Sequence, residues 1–410
     1  MRILFLSNNY PPVSNGGYEQ LCQEVAVAFT RMEHRVSILT SADGPGAAIV
    51  EEAGIQVRRQ LHLEVEGGVL PTTVRLLRDR NRQERENLNS LRTAIDDMHP
   101  DAALIWGMWN VPRSVPALTE RLMPGRVVYY MCDYWPSLPS AYVQQFQEPA
   151  RRKLAAWPKK LLGQLMLTKL AREQAIPLAL ERPFCVSQAV KTLLLRSGVP
   201  IGHAQLIYNG IEVGQFPPVR IARWQQGEAR LNLLYAGRLA LEKGVRTAIQ
   251  ALALLGGRPG ARVTLDIVGT GGPHYLQGLK DLVQELRLDE KVTFRDAVPR
   301  HEVPALLAEH DVLVFPSEWD ALPRVVMEAM ATGTVVIGTT TGGTGELLED
   351  GVTGLTFPPG DATGLASQIQ RVLEDRPLGE RLARAARRRV EQQFTFQRMV
   401  DELERVLRDL

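Results

Sequence analysis

Cysteine is scarce: only Cys22, Cys132 and Cys185 occur in 410 residues. Three thiols, odd in number and widely spaced, supply neither a disulfide framework nor a zinc-ligand spacing, so a reducing cytoplasm is the expected setting. Long apolar runs are absent as well. No stretch of 18 apolar residues exists, so nothing reads as a membrane span. The opening segment, Met1 to Ser7 (MRILFLS), is too short for a signal peptide and turns polar at Ser7. Neither sign of charge prevails. The chain has 48 Lys and Arg against 46 Asp and Glu, a formal net charge of +2, which gives no reason to expect nucleic acid as a partner. Short-period repeats and low-complexity tracts are missing too.

What is present is ordinary in bulk and specific in detail. Apolar residues make up 45% and charged residues 23%, the balance of a soluble globular chain. The length suits two domains. The most informative stretch runs from Pro316 to Asp361. An apolar run, Asp311 to Phe315 (DVLVF), reads as a buried strand before it. A loop with Glu318 and Asp320 follows, then Pro323, which suits the first turn of a helix. That helix, Arg324–Thr332, stops at Gly333. A second strand, Thr334–Thr339, leads into Gly342-Gly343-Thr344-Gly345, and Glu346 opens a further helix. Two strand–loop–helix units in a row aim helix N-termini at one edge of a parallel sheet, where α/β sheets bind ligands and anions are favoured.

This stretch resembles the signature of family 4 glycosyltransferases (glycosyl transferases group 1), retaining sugar transferases of the GT-B fold. Pro316-Ser317, Glu328-Ala329-Met330-Ala331, Gly342-Gly343 and Glu346 all fit it. The first Glu of the family's acid pair is Asp320 here, so the pattern is Asp-x7-Glu. Gly237-Arg238, four residues, then Lys243-Gly244 is close to the family's phosphate clamp. Arg238 offers a planar fork of donors and Lys243 a compact charge, both on a loop after the strand Leu231–Tyr235.

The rest of the chain carries weaker signals. Ile3–Leu6 reads as a strand, followed by a loop with Gly16-Gly17 and a helix from about Tyr18 to Met32. Gly16 and Gly17 suit either a tight turn or backbone N–H groups aimed at an anion; the resemblance implies a loop that approaches the donor pyrophosphate and the acceptor. His34, before the strand Val36–Thr40, reads as structural. Val74–Ile95 reads as an amphipathic helix. Trp106 and Trp109 read as core more readily than as sugar-stacking rings. In Val127–Trp135, Cys132 stands where many relatives have His, and Asp133 follows as in the family; both are acceptor-side candidates. Pro149–Arg172 holds seven cations and no acid. It reads as a solvated helix or as a peripheral contact with an anionic membrane. Gly269 opens a glycine cluster after the strand Val263–Val268, and the resemblance brings Val298 near the nucleotide base.

The fold class expected is α/β, in GT-B architecture: two doubly wound Rossmann-like domains facing a cleft. Residues 1–212 would form the acceptor domain and 213–390 the nucleotide-sugar domain, with 391–410 a helix crossing back. The resemblance implies a retaining transfer from a nucleotide sugar to a hydroxyl acceptor, whether glycan, lipid-linked or small molecule. Arg238, Lys243 and Asp320 would be catalytic, Asp320 holding the donor sugar and Glu328 the ribose. Gly16, Gly17, Gly269, Val298, Ala321, Leu322, Gly343 and Thr344 would complete the donor site. No cofactor or metal is expected, because the chain has no Asp-x-Asp and two cations already serve the diphosphate. A sugar-nucleotide epimerase and a degenerate sugar-nucleotide-binding protein are the alternatives.

Overall fold

The computed structural model describes residues 1–13, 16–43, 47–64, 78–138, 143, 176–218, 224, 230–255 and 262–410. The basic run 149–172 lies outside them. The chain falls into two compact units. Unit 1 is Met1–Cys185, Val190–Leu206 and Glu402–Leu410; unit 2 is Val186–Ala189 and Ile207–Asp401.

Unit 1 holds the strands β1 (Arg2–Ser7), β2 (Arg35–Ser41), β3 (Ile49–Glu52), β4 (Ile55–Leu61), β5 (Ala102–Gly107), β6 (Val127–Met131), β7 (Arg182–Cys185) and β8 (Gln205–Leu206). Its helices are α1 (Gly17–Arg31), α2 (Arg80–Met98) and α3 (Ser114–Leu122); α4 (Gln188–Arg196) begins in unit 2 and ends in unit 1. The sheet order is β3-β4-β2-β1-β5-β6-β7-β8. Every pairing is parallel except β3 with β4. Ile3 to Leu6 and Ala102 to Trp106 are buried. Such continuous apolar runs are what a strand covered on both faces requires. Trp106 is core: it stacks on Phe5 at 6.3 Å and tilts against Tyr130 at 4.7 Å. Its indole N–H donates to the Tyr18 carbonyl at 2.9 Å.

Unit 2 holds β9 (Arg230–Ala236), α5 (Val245–Leu254), β10 (Arg262–Val268), α6 (Pro273–Glu285), β11 (Val292–Arg295), α7 (Val303–Glu309), β12 (Val312–Phe315), α8 (Arg324–Thr332), β13 (Val335–Gly338), α9 (Thr344–Leu347), β14 (Leu355–Thr356), α10 (Ala362–Glu374) and α11 (Arg376–Gln393). The sheet order is β11-β10-β9-β12-β13-β14, all parallel. Numbered from its own first strand this is 3-2-1-4-5-6, the doubly wound order. The central strands of unit 1 repeat it. Each sheet therefore has a switch point, between β1 and β5 and between β9 and β12, where successive connections leave in opposite directions and open a crevice.

The division of the chain differs from a single cut after residue 212. Ile211 bridges to Thr395, and Trp224 is buried in unit 2's core with its indole N–H on the Gly333 carbonyl at 3.3 Å. Burial of these side chains draws the segment after Leu206 into unit 2. The last helix, α12 (Phe396–Arg408), starts in unit 2, and its residues from Glu402 onward group with unit 1. There Glu404 meets His34 Nε2 at 3.0 Å, which is the structural use of that histidine. Among the described residues no helix is long and apolar enough to cross a membrane.

Candidate active site

The chemistry of unit 2 gathers at the switch point because four loops meet there. Gly244, at the start of α5, has φ +65°, and a Cβ on it would lie 2.1 Å from the Pro316 carbonyl oxygen. A Cβ on Gly343 would lie 2.0 Å from the Ala321 carbonyl oxygen. Only a residue without a side chain allows either approach. The first contact joins the loop after β9 to the loop after β12; the second joins the latter to the loop after β13. Gly269 packs its backbone on Gly237 in the same way, bringing in the loop after β10. Glu318 N–H donates to the Glu242 carbonyl at 2.8 Å, and the Thr339 hydroxyl donates to the Ser317 carbonyl at 2.6 Å.

Closing these loops brings Lys243 to Asp320 across the switch point. The ammonium lies 2.7 Å from Asp320 Oδ2, with the side chains 17% and 23% exposed. Arg238 stands apart from that pair, 61% exposed and 3.2 Å from Glu242. Glu328, eight residues beyond Asp320, is on α8 and 1% exposed. Arg300 Nη1 lies 2.5 Å from its Oε1, and Arg324 Nε 3.9 Å from the same oxygen. Oε1 has no aligned hydrogen bond, so the contact with Arg300 is ionic. Thr344 Oγ1 is likewise buried and without a hydrogen-bond partner. Leu322 is buried, and the Ala321 carbonyl accepts from Ser187 Oγ at 2.6 Å. Val298 is half-buried in the loop after β11. α5, α8 and α9 open behind Gly244, Pro323 and Gly343 with no side-chain cap. α10 and α11, by contrast, are capped by Asp361 and Asp375.

Gly16, Gly17, Cys132 and Asp133 belong to unit 1. Gly16 is the exposed N-cap of α1, in extended backbone, and Gly17 is the first residue of the helix. The Tyr18 hydroxyl donates to Asn8 Oδ1 at 3.0 Å and the Ser41 hydroxyl to Asn9 Oδ1 at 3.2 Å. Cys132 is buried, which pushes its thiol well above the usual range and removes the thiolate a nucleophile needs. Burial also raises Asp133, to about 6, against the N–H of Trp135 that donates to its Oδ1 at 2.8 Å. Trp109 is half-buried, with its ring 6.0 Å from Tyr134, edge to face.

One motif residue has its partners far along the chain. Glu346 lies in the first turn of α9, which begins two residues earlier at Thr344. Its carboxylate accepts from Gln188 N–H and Ala189 N–H, both at 2.9 Å, and from the Tyr208 hydroxyl at 3.1 Å. It thereby satisfies the first N–H groups of α4, the office of an N-cap. Arg300 and Arg324 lie outside the motifs that the sequence displays. Arg324 was findable, four residues before Glu328 on one helix face. Arg300 had no signal along the chain.

Two family models match the chain: Glycosyltransferase Family 4 over residues 15–215 and Glycosyl transferases group 1 over residues 221–389. Over 200 residues the chain is 36% identical to glycogen synthase of Mycobacterium tuberculosis, covering 49% of this chain and 47% of that protein. The chain thus spans about half the length of the curated relatives it matches. Sucrose-phosphate synthase from Thermosynechococcus elongatus superposes with a TM-score of 0.75 at 21% identity, covering 100% of this chain and 98% of that one. HepE from Anabaena, whose structure holds UDP and glucose, superposes with a TM-score of 0.70 at 23% identity, with both chains covered completely. The architecture is GT-B, as it is in these neighbours.

Proposed function

We propose that the chain is a retaining glycosyltransferase that moves a sugar from a nucleotide-sugar donor to a hydroxyl acceptor. The observation that carries this reading is the Lys243–Asp320 pair across the switch point of unit 2, with Glu328 buried eight residues further on. Matches to two glycosyltransferase family models support it.

In this reading unit 2 takes the donor. Arg238 and Lys243 stabilise the diphosphate as its charge grows on leaving, the electrostatic contribution that is usually largest. N–H groups near Gly343 and Thr344 add to it. Asp320 accepts from the sugar hydroxyls and Glu328 from the ribose. The carbon–oxygen bond to the phosphate breaks as the acceptor oxygen bonds to the same carbon on the same face. The acceptor's proton passes to the departing phosphate oxygen. Nothing in that scheme needs a base at position 132, so a cysteine there is compatible with turnover. Two cations on the diphosphate make a metal unnecessary. The acceptor goes to unit 1, beside Cys132 and Asp133. The setting is the cytoplasm, consistent with three free, buried cysteines. The cationic run 149–172 would contact anionic lipid, which vesicle sedimentation that weakens with salt would reveal.

A thermal-shift screen against UDP-, GDP- and ADP-sugars, followed by NMR of the product's anomeric configuration, tests the reading. A donor at 100 times its Kd should stabilise by about 2.7 kcal/mol, and the glycoside should keep the donor's configuration. An isomerised sugar nucleotide, an inverted glycoside, or no response to any donor would overturn it.

A further inference from the structure

Glu328 raises a question that the sugar-transfer scheme leaves open: what aims a carboxylate so deeply buried. It is 1% exposed, and a carboxylate taken out of water needs compensation. Its own helix supplies Arg324, one turn earlier and 3.9 Å away. The nearer cation comes from elsewhere. Arg300 opens a 3-10 turn, Arg300–Glu302, beyond β11, and reaches Glu328 at 2.5 Å while remaining 29% exposed. Its guanidinium also lies over the ring of Phe216, with 5.7 Å to the centroid, a favourable seat for a flat cation. Phe216 in turn is held by Arg387, whose Nη1 donates to the Phe216 carbonyl at 2.8 Å. Both arginine contacts fall on Oε1.

We propose that Arg300 is a positioning residue that sets which nucleotides the protein accepts. Pressed between the Phe216 ring and Glu328, it holds the carboxylate by Oε1 and so presents Oε2 to the ribose hydroxyls. The consequence is selection of ribonucleoside diphosphate donors over their deoxyribose counterparts. A buried acceptor built for a hydroxyl strongly rejects an analogue that lacks it, because the acceptor is then left unpaired. The inference rests on the reading of Glu328 as the ribose-binding residue.

Calorimetry on the full chain tests it, using UDP, GDP and ADP and then the 2′-deoxy and 3′-deoxy forms of the tightest binder. The unaltered protein should lose about 10-fold or more in affinity for at least one deoxy form, the scale of one hydrogen bond to a charged group. Arg300→Met should weaken the ribonucleotide by about 10-fold and the disfavoured deoxy form by less than about 3-fold, so that discrimination collapses. Arg300→Lys keeps the charge without the planar fork and should recover part of the discrimination; it also serves if Arg300→Met does not fold. Equal weakening of both nucleotides, or unchanged discrimination in either variant, would overturn the role. If the unaltered protein binds a nucleoside diphosphate without ribose discrimination, this inference fails while the donor reading stands. If it binds none, the donor reading fails as well.

Discussion

At the switch point of unit 2, Lys243 meets Asp320 at 2.7 Å, and Glu328 nearby sits between two arginines. At the switch point of unit 1, a tyrosine meets an asparagine and a serine meets an asparagine. The same strand order surrounds both sites. Unit 2 sets its charged groups against one another there. In unit 1, burial raises the thiols of Cys22 and Cys132, the Tyr18 phenol and the Asp133 carboxyl. Desolvation favours the neutral form of each of these unit 1 groups. One topology thus carries an ion-paired edge in unit 2 and an edge of desolvated groups in unit 1. Fold alone would not have separated them.

The sharpest way to break this contrast is to remove the paired charges. Lys243→Ala should lower kcat by on the order of 10²-fold, as for loss of one preorganised donor to a developing charge. It should also lower the melting temperature, because Asp320 loses its partner. Arg238→Ala should cost a similar factor in kcat but leave the melting temperature alone, since Arg238 is exposed. A folded Lys243→Ala protein with normal kcat would remove that residue from the mechanism.

The acid pair should divide by step. Glu328→Ala should weaken the free nucleoside diphosphate by about 10- to 150-fold, the range of a hydrogen bond to a charged group. Asp320→Ala should leave that affinity nearly intact and depress turnover with the sugar donor. Calorimetry and turnover on both variants decide it, and the reverse pattern would exchange the two roles.

Unit 1 should answer to pH instead. Asp133 has its folded-state pKa raised from 3.8 to about 6. Its contribution to stability is therefore full below pH 4 and is lost as pH rises through 6, where folding must bury an ionised carboxylate. Asp133→Asn keeps an acceptor for Trp135 N–H and escapes that loss. It should stabilise unit 1 by about 1–2 kcal/mol at pH 7.5 and make little difference at pH 4. Denaturation at the two pH values reads this directly, and an equal effect at both would discard the burial argument. The smallest effect expected is from EDTA. If the cations of unit 2 serve the diphosphate alone, chelation should change turnover by less than about 2-fold, whereas loss of a needed metal would cost several kcal/mol of barrier.

Much of this could be read along the chain. Arg324–Thr332 forms the helix that Pro323 and Gly333 bracket, and the strand before it runs where the apolar residues of DVLVF lie. Asp320, Glu328, Gly343 and Thr344 fall within one short stretch, so local spacing reveals them together. Glu346 shows the limit of spacing. It fits its motif, yet its carboxylate serves the start of α4, 157 and 158 residues earlier in the chain.

The amino-acid sequence by itself determined the alternation of strands and helices, the glycines at the loop crossings and the chemical identity of the candidate donor groups. These depend on φ/ψ preference, apolar periodicity and short motifs, all of which act within a few residues. The tertiary structure alone decided which charge meets which. Lys243 and Asp320 are 77 residues apart, and Arg300 reaches Glu328 from a turn beyond a different strand. Such partnerships depend on the order in which parallel strands pack, because that order decides which loops lie side by side at the switch point. The same packing buries Glu328 beside two arginines and, among the described residues, sets no cation against the half-buried Asp133. Two carboxylates of the same chemistry thereby have opposite surroundings.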